Sequence, residues 1–141
     1  MKNKERYIFL ALSVLWMAVI FYFSGQTGGQ SGSLSGSLAA LLHIPEWLLR
    51  KGAHLAEYAV LGFFLAGFFG TFPRPGRGSL ALALIISVLY AASDEFHQMF
   101  SSGRTPSVRD VCIDSAGAVI GILLMAALSH IRRRRAERRE P

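Results

Sequence analysis

Four apolar stretches alternate with short polar or basic segments along the chain, at residues 7–23, 47–69, 79–100 and 108–131. As a helix, the first of them is about 26 Å long, close to the roughly 30 Å of hydrocarbon in a bilayer. Helices are favoured in lipid because they satisfy their own backbone hydrogen bonds. The pattern therefore predicts an all-α integral membrane protein with four transmembrane helices.

The segment between the first two stretches differs from a span. Residues 24–37 are mostly Gly, Ser, Gln and Thr, which predicts a flexible polar connection. Residues 38–44 are apolar but too few to cross a bilayer, so we expect them to lie along the membrane interface. Pro45 suits the first turn of the next helix, and Trp47 would then lie at headgroup depth.

A cleaved signal peptide is the alternative interpretation of residues 7–23, because a basic leader precedes them. Such a peptide has a shorter apolar region and a small-x-small cleavage site. The residues after Phe23, Ser24-Gly25-Gln26, offer no clean site of this kind. We therefore expect the first helix to be retained.

Composition agrees with a membrane protein. Of 141 residues, 52% are hydrophobic and 17% are charged, whereas a soluble domain carries about 25% charged residues. The net charge is +6, but the basic residues flank apolar stretches and form no folded nucleic-acid reader, so no nucleic-acid partner is expected. The single cysteine, Cys112, excludes an intrachain disulfide.

The distribution of basic residues predicts the orientation. They concentrate in the N-terminal leader, the 73–78 turn and the 132–141 tail, whereas residues 24–46 contain no Lys or Arg. The positive-inside rule therefore places both termini in the cytoplasm. We expect a multi-pass protein of the cytoplasmic membrane, with residues 1–131 as the transmembrane domain and a basic cytoplasmic tail that contacts anionic lipid.

Ionisable residues occur in three of the four spans, each time in the part nearest the predicted outer surface. A charge at a helix centre costs about 2.5 to 3.5 kcal/mol on insertion scales, so these side chains should face the bundle and form one polar pocket. The candidate catalytic residues are His54, Glu57, Asp94, His97 and Asp114. The candidate ligand-binding residues are Arg50, Lys51, Tyr58, Glu95, Gln98, Arg104, Arg109 and Asp110.

Helical spacing supports a shared face for these groups. His54 and Glu57 are three residues apart, as are Asp94 and His97, which places each pair on one side of its helix. Gly117 and Gly121 follow Asp114 on one stripe of the last span. A small-xxx-small motif of this kind lets a neighbouring helix approach closely.

The charged segments resemble the VanZ-like family. They are Arg50-Lys51-Gly-Ala-His54-Leu-Ala-Glu57-Tyr58, Ser93-Asp94-Glu95-Phe-His97-Gln98 and Gly103-Arg104 followed by Arg109-Asp110-Val-Cys-Ile-Asp114. The segment from Trp16 to Gln26 is similar to the family's first helix and its Ser/Gln exit. The resemblance covers nearly the whole chain. It implies a small membrane protein of a family whose founding member is linked to low-level teicoplanin resistance.

Several functions fit a pocket on the predicted outer side. The protein could act on a lipid-linked or cell-wall glycan, with Arg50 and Arg104 holding phosphate or carboxylate and His54 or His97 transferring protons. Alternatively it binds or shields such a ligand without catalysis, so whether it is an enzyme stays open. The sequence indicates no particular cofactor.

Two further hypotheses have weaker support. The pairs His54–Glu57 and Asp94–His97 could form a metal site in the bundle, although the neighbouring cations would repel a metal ion, so we assign no metal ligands. Proton-coupled transport would need a polar path across the membrane, and the inner halves of the last three spans are apolar.

Overall fold

The computed structural model describes residues 2–25, 28–73, 76–100 and 107–138, with residues 2 and 28–34 described by their backbone alone. This part of the chain folds into helices separated by short connections. They are α1 (Lys2–Ser24), α2 (Gly28–Leu42), α3 (Glu46–Gly70), α4 (Arg77–Gln98) and α5 (Val108–Glu137).

Among the described residues, four helices are long and apolar enough to cross a membrane: α1 from Asn3 onward, α3, α4 and α5. The predicted all-α class with four membrane-length helices is therefore confirmed. The 30 residues of α5 extend about 45 Å, more than a bilayer core requires, so its basic end continues beyond the apolar part.

Large apolar side chains cover the outside of the bundle, as expected of a surface in contact with lipid. They are exposed along the whole length of the helices, and examples are Leu15, Phe21, Leu89, Leu123 and Leu124. The interior holds smaller or closely packed side chains, among them Leu61, Ala83 and Ala91. A soluble monomer rarely exposes so much apolar surface, and lipid removes this cost.

The helix α2 corrects one expectation. Residues 24–37 were predicted to be a flexible polar connection, but α2 begins at Gly28 and continues to Leu42. Gly and Ser favour helices weakly, so tertiary contacts must contribute to this helix. Within the part described with side chains, Ser35 donates a 2.7 Å hydrogen bond to Glu46, and Ala39 is buried.

The end of α2 has a defined geometry at His43. This residue has a φ of 54°, in the left-handed region that usually selects glycine or asparagine. The amide of His43 donates to the Ala40 carbonyl, and the amide of Ile44 donates to the Ala39 carbonyl. Both hydrogen bonds are those of a Schellman motif, which turns the chain sharply from α2 toward Pro45.

The contacts of Arg6 show that the start of α1 lies beside the end of α3. Its guanidinium donates to the Thr71 hydroxyl at 3.2 Å and to the Thr71 carbonyl at 3.3 Å, and it lies 4.4 Å from the centre of the Phe72 ring. The end of α5 and the start of α4 border a common cavity with the end of α3. Both ends of the described chain therefore lie at one end of the bundle, called here the terminal end.

Helices α3 and α5 form the most extensive interface of the bundle. Glycines at Gly62, Gly117 and Gly121 bring the two backbones together, because an added Cβ at any of them would overlap backbone atoms of the facing helix. These backbone atoms belong to Ala118, Leu55 and Ala59, respectively. The close approach predicted from the Gly117-xxx-Gly121 spacing is thus confirmed, and Gly62 extends it from the other side.

Polar atoms of aromatic side chains connect α1 to the rest of the bundle. Trp16 donates a hydrogen bond to the Glu57 carbonyl at 2.8 Å, and Tyr90 donates one to the Met17 carbonyl at 2.6 Å. Nearer the terminal end, the Phe9 ring fills the space where Gly67 lacks a side chain. The first helix therefore packs as a member of the bundle against both α3 and α4.

Candidate functional site

Three buried polar side chains, one from each of three helices, form the deepest part of the site. Tyr58 of α3 and Asp114 of α5 are each 0% exposed, and Asp94 of α4 is 2% exposed. Tyr58 lies within electrostatic range of both carboxylates, and Asp114 lies within range of Asp94. We call these residues the polar triad. The three charged segments of the sequence therefore converge at one level of the bundle.

The polar triad has hydrogen-bonding capacity that the described residues do not use. Within that part of the chain, the Tyr58 hydroxyl, Oδ1 of Asp94 and both carboxylate oxygens of Asp114 are buried and have no hydrogen-bond partner. A buried polar group left unsatisfied costs about 1 to 3 kcal/mol, and a bare charge costs more. The triad is thus an unfavourable arrangement unless a proton, a water molecule or a donor group from a ligand satisfies it.

His54 lies between the carboxylates of two helices. Its Nδ1 is 3.9 Å from Oε2 of Glu57 in α3 and 3.8 Å from Oδ1 of Asp114 in α5. Three of the predicted catalytic residues are therefore brought together. An imidazole positioned by carboxylates is a typical arrangement for proton transfer.

His97 contacts the first helix. Its imidazole stacks on the Phe21 ring of α1 with centroids 4.0 Å apart and an angle of 15° between the planes. Gly25 lies beside it, and a Cβ there would be 3.2 Å from Cε1 of His97. No site role was predicted for Phe21, since aromatic residues of a first span are expected to face lipid or neighbouring helices. Only the fold identifies it as a wall of the site.

Gln98 and Glu95 have contacts that fix the site's geometry. Gln98 donates to Oδ2 of Asp94 at 3.2 Å, which holds one oxygen of that carboxylate in place. Oε2 of Glu95 accepts a 2.8 Å hydrogen bond from the Ser107 amide, directly before α5 begins. A carboxylate at a helix N-terminus is favourable. Glu95, predicted to bind ligand, therefore positions the start of α5 in this structure.

The predicted cations lie at the rim of the site and not beside the polar triad. Lys51 forms an ion pair with Asp110, and 31% of the Lys51 side chain is exposed. Arg50 lies 4.0 Å from Glu46, and Arg109 is exposed. Arg104, also predicted to bind ligand, lies outside the described residues. The site thus has an acidic interior and a rim of paired charges.

The donors that a metal site requires are not grouped in the described part of the chain. Among those residues, no three His, Cys, Asp or Glu side chains lie close enough together to hold a metal ion. The metal-binding hypothesis therefore gains no ligand set from the geometry.

A bundle with four membrane-length helices and buried polar residues defines a multi-pass membrane protein. A family model described as VanZ/LLP1 matches residues 9–129, which cover most of α1 and α5 and all of α2, α3 and α4. The chain belongs to the VanZ-like family, and the resemblance seen in its three charged segments is confirmed. Comparisons with curated proteins and with solved structures gave no significant match.

Proposed function

We propose that the polar triad binds the hydroxyl groups of a cell-envelope glycan, either lipid-linked or part of the cell wall. The observation that carries the proposal is the set of buried oxygens on Tyr58, Asp94 and Asp114 that have no hydrogen-bond partner among the described residues. A carboxylate accepts hydrogen bonds and offers none when ionised. A sugar supplies several hydroxyl donors within a small volume, so it matches this set better than a phosphate, which also only accepts.

The rim is suited to a different part of the same ligand. Lys51 is seven residues before Tyr58 in α3, which places it about 10 Å along the helix axis. A diphosphate that links a sugar to a lipid would lie within reach of Lys51 and Arg50 when the sugar occupies the triad. These cations would exchange their carboxylate partners for phosphate oxygens. The positive-inside rule predicts that this end of the bundle faces away from the cytoplasm.

Binding of a polyprenyl-diphosphate-linked disaccharide to the purified chain in nanodiscs tests the proposal. Asp94→Asn keeps the size of the side chain but removes a charged acceptor. We expect it to weaken binding about tenfold, the effect of one charge-assisted hydrogen bond. Glu137→Gln is the matched control, because it removes a carboxylate at the end of α5. Equal affinities for both variants and the wild type would contradict the proposal.

A second candidate function is chemical modification of the same ligand. The position of His54 between Glu57 and Asp114 favours it, because an imidazole so placed can accept and return a proton. The variant His54→Gln distinguishes the two functions by its turnover. In either case the variant should keep its affinity for the ligand, but only an enzyme has a turnover that the substitution abolishes. Turnover that survives both His97→Ala and Glu57→Gln would exclude the assignment of catalysis to these residues of the site.

The family's link to teicoplanin leads to a cellular proposal. A protein that holds a surface glycan precursor alters the access of a glycopeptide to its target, so expression of this chain should raise teicoplanin resistance in a susceptible host. The minimal inhibitory concentration, measured with the wild type and with Asp94→Asn, tests this step. Equal resistance with the wild type and with Asp94→Asn would show that the antibiotic resistance does not depend on the polar triad.

A further inference from the structure

A second site lies at the terminal end of the bundle, away from the polar triad. A partly open cavity of about 240 Å³ is bordered there by the end of α3, the start of α4 and the second half of α5. Its lining combines polar or basic residues with apolar ones, and the residues that matter here are Ser79, Ser129, His130, Arg133, Leu80 and Met125.

The charge of this cavity favours an anion. Arg133 presents a planar set of donors that matches the oxygens of a phosphate, and the hydroxyls of Ser79 and Ser129 add neutral donors. Among the described residues that line the cavity, none is Asp or Glu. The positive end of the α4 dipole adds to the same field. A cation would therefore meet no carboxylate in the described part of the lining.

The apolar part of the lining narrows the class of anion. Leu80 and Met125 border the same cavity as Arg133, so a ligand there contacts hydrocarbon and a guanidinium at once. In α5 the apolar sequence gives way to a basic run that begins at Arg132, which is where a membrane helix reaches the headgroups. A phospholipid has this combination, with a phosphate at the surface and an acyl chain below it.

We propose that this cavity binds the phosphate of an anionic glycerophospholipid, with the first part of an acyl chain against Leu80 and Met125. The site is separate from the glycan-binding function proposed above and does not depend on it. It differs from a general attraction between a basic tail and a charged membrane, because it requires one particular arginine.

Native mass spectrometry of the purified full chain, titrated with phosphatidylglycerol, tests the proposal. Arg133→Ala should weaken the binding of this lipid about tenfold, as expected when a charge-assisted contact is lost. Arg135→Ala is the matched control, since it removes the same charge from the same helix at a position that does not line the cavity. We expect it to change the affinity less than about twofold. Equal losses in the two variants would overturn the proposal in favour of diffuse attraction.

Two further arms identify the source of the phosphate and the place of binding. Diacylglycerol, which has no phosphate, should bind far more weakly than phosphatidylglycerol, and millimolar inorganic phosphate should displace little of the lipid. Complete displacement by inorganic phosphate would show a soluble anion site and overturn the lipid assignment.

Ser129→Leu fills part of the cavity without a change of charge and should also weaken lipid binding. Unchanged binding in this variant, with its thermal stability retained, would place the lipid elsewhere.

Discussion

The indole nitrogen of Trp16 in α1 donates a 2.8 Å hydrogen bond to the backbone carbonyl of Glu57 in α3. Glu57 precedes Tyr58 of the polar triad, so this bond fixes α1 at the level of the site. Five residues further along α1, Phe21 stacks on His97. The first helix is therefore both an apolar span and one wall of the site.

Replacement of Trp16 should loosen the first helix. Trp16→Phe keeps an aromatic ring but removes the donor, and we expect a loss of about 1 kcal/mol of stability, the typical net value of one hydrogen bond. Trp47→Phe is the matched control, because Trp47 is 61% exposed. The measurement is the thermal midpoint in detergent, which should fall for Trp16→Phe only. A similar fall for both variants would assign the effect to the loss of indole area.

The close approach of α3 and α5 predicts opposite effects for two identical substitutions. Gly121→Ala places a methyl group against the Ala59 carbonyl and should destabilise the bundle by about 1 to 3 kcal/mol. Gly52→Ala meets no atom within 4 Å. It should be neutral or stabilise α3 by up to about 1 kcal/mol, since glycine is unfavourable inside a helix. Chemical denaturation in mixed micelles measures the change in the free energy of unfolding for each variant. A Gly121→Ala variant as stable as the wild type would contradict the packing of α3 against α5.

The ion pair of Lys51 and Asp110 should contribute little to stability, because about a third of each side chain is exposed. Loss of either charge, in Lys51→Met or Asp110→Asn, should cost no more than about 1 kcal/mol. The double variant Lys51→Asp with Asp110→Lys should recover part of that loss, and high salt should reduce the difference. If the double variant lost more stability than the sum of the losses in the two single variants, a specific role of one residue would be indicated.

Cysteine labelling tests the predicted orientation. In a chain with Cys112→Ser, we expect Ser33→Cys to react with an impermeant maleimide added to whole cells. Gly76→Cys should react only after the membrane is permeabilised, because the positive-inside rule predicts that the 73–78 turn lies in the cytoplasm. Labelling of Gly76→Cys in intact cells would reverse the orientation and place the polar triad near the cytoplasmic face.

The membrane-length helices could be predicted from the sequence because few backbone conformations are stable in the hydrocarbon of a bilayer. A long apolar segment has to form a helix there to satisfy its backbone. The convergence of Tyr58, Asp94 and Asp114 follows from the same constraint, since buried charges avoid lipid and three neighbouring spans share one interior. The Gly117-xxx-Gly121 spacing also predicted its contact correctly, because the motif acts through shape.

Other features depend on contacts between distant parts of the chain, and local patterns do not reveal them. The helix α2 was missed because its Gly and Ser residues have low helix propensity, while its contact with Glu46 arises from the fold. The hydrogen bond from Tyr90 to the Met17 carbonyl joins residues 73 positions apart. Glu95 reaches the Ser107 amide across the connection between two helices. A sequence pattern identifies these residues as polar but does not give their partners.

The glycine contacts between α3 and α5 also affect how the site responds to its ligand. They join backbone to backbone, so the relative height of Tyr58 and Asp114 does not depend on which side chains carry a charge. The two helices therefore need not move when the protonation state of the polar triad changes. A preorganised site loses little conformational entropy on binding. If the polar triad binds a glycan as proposed, the glycine contacts would hold Tyr58 and Asp114 at a fixed spacing. The preference among sugars would then depend on how well the stereochemistry of their hydroxyls matches that spacing.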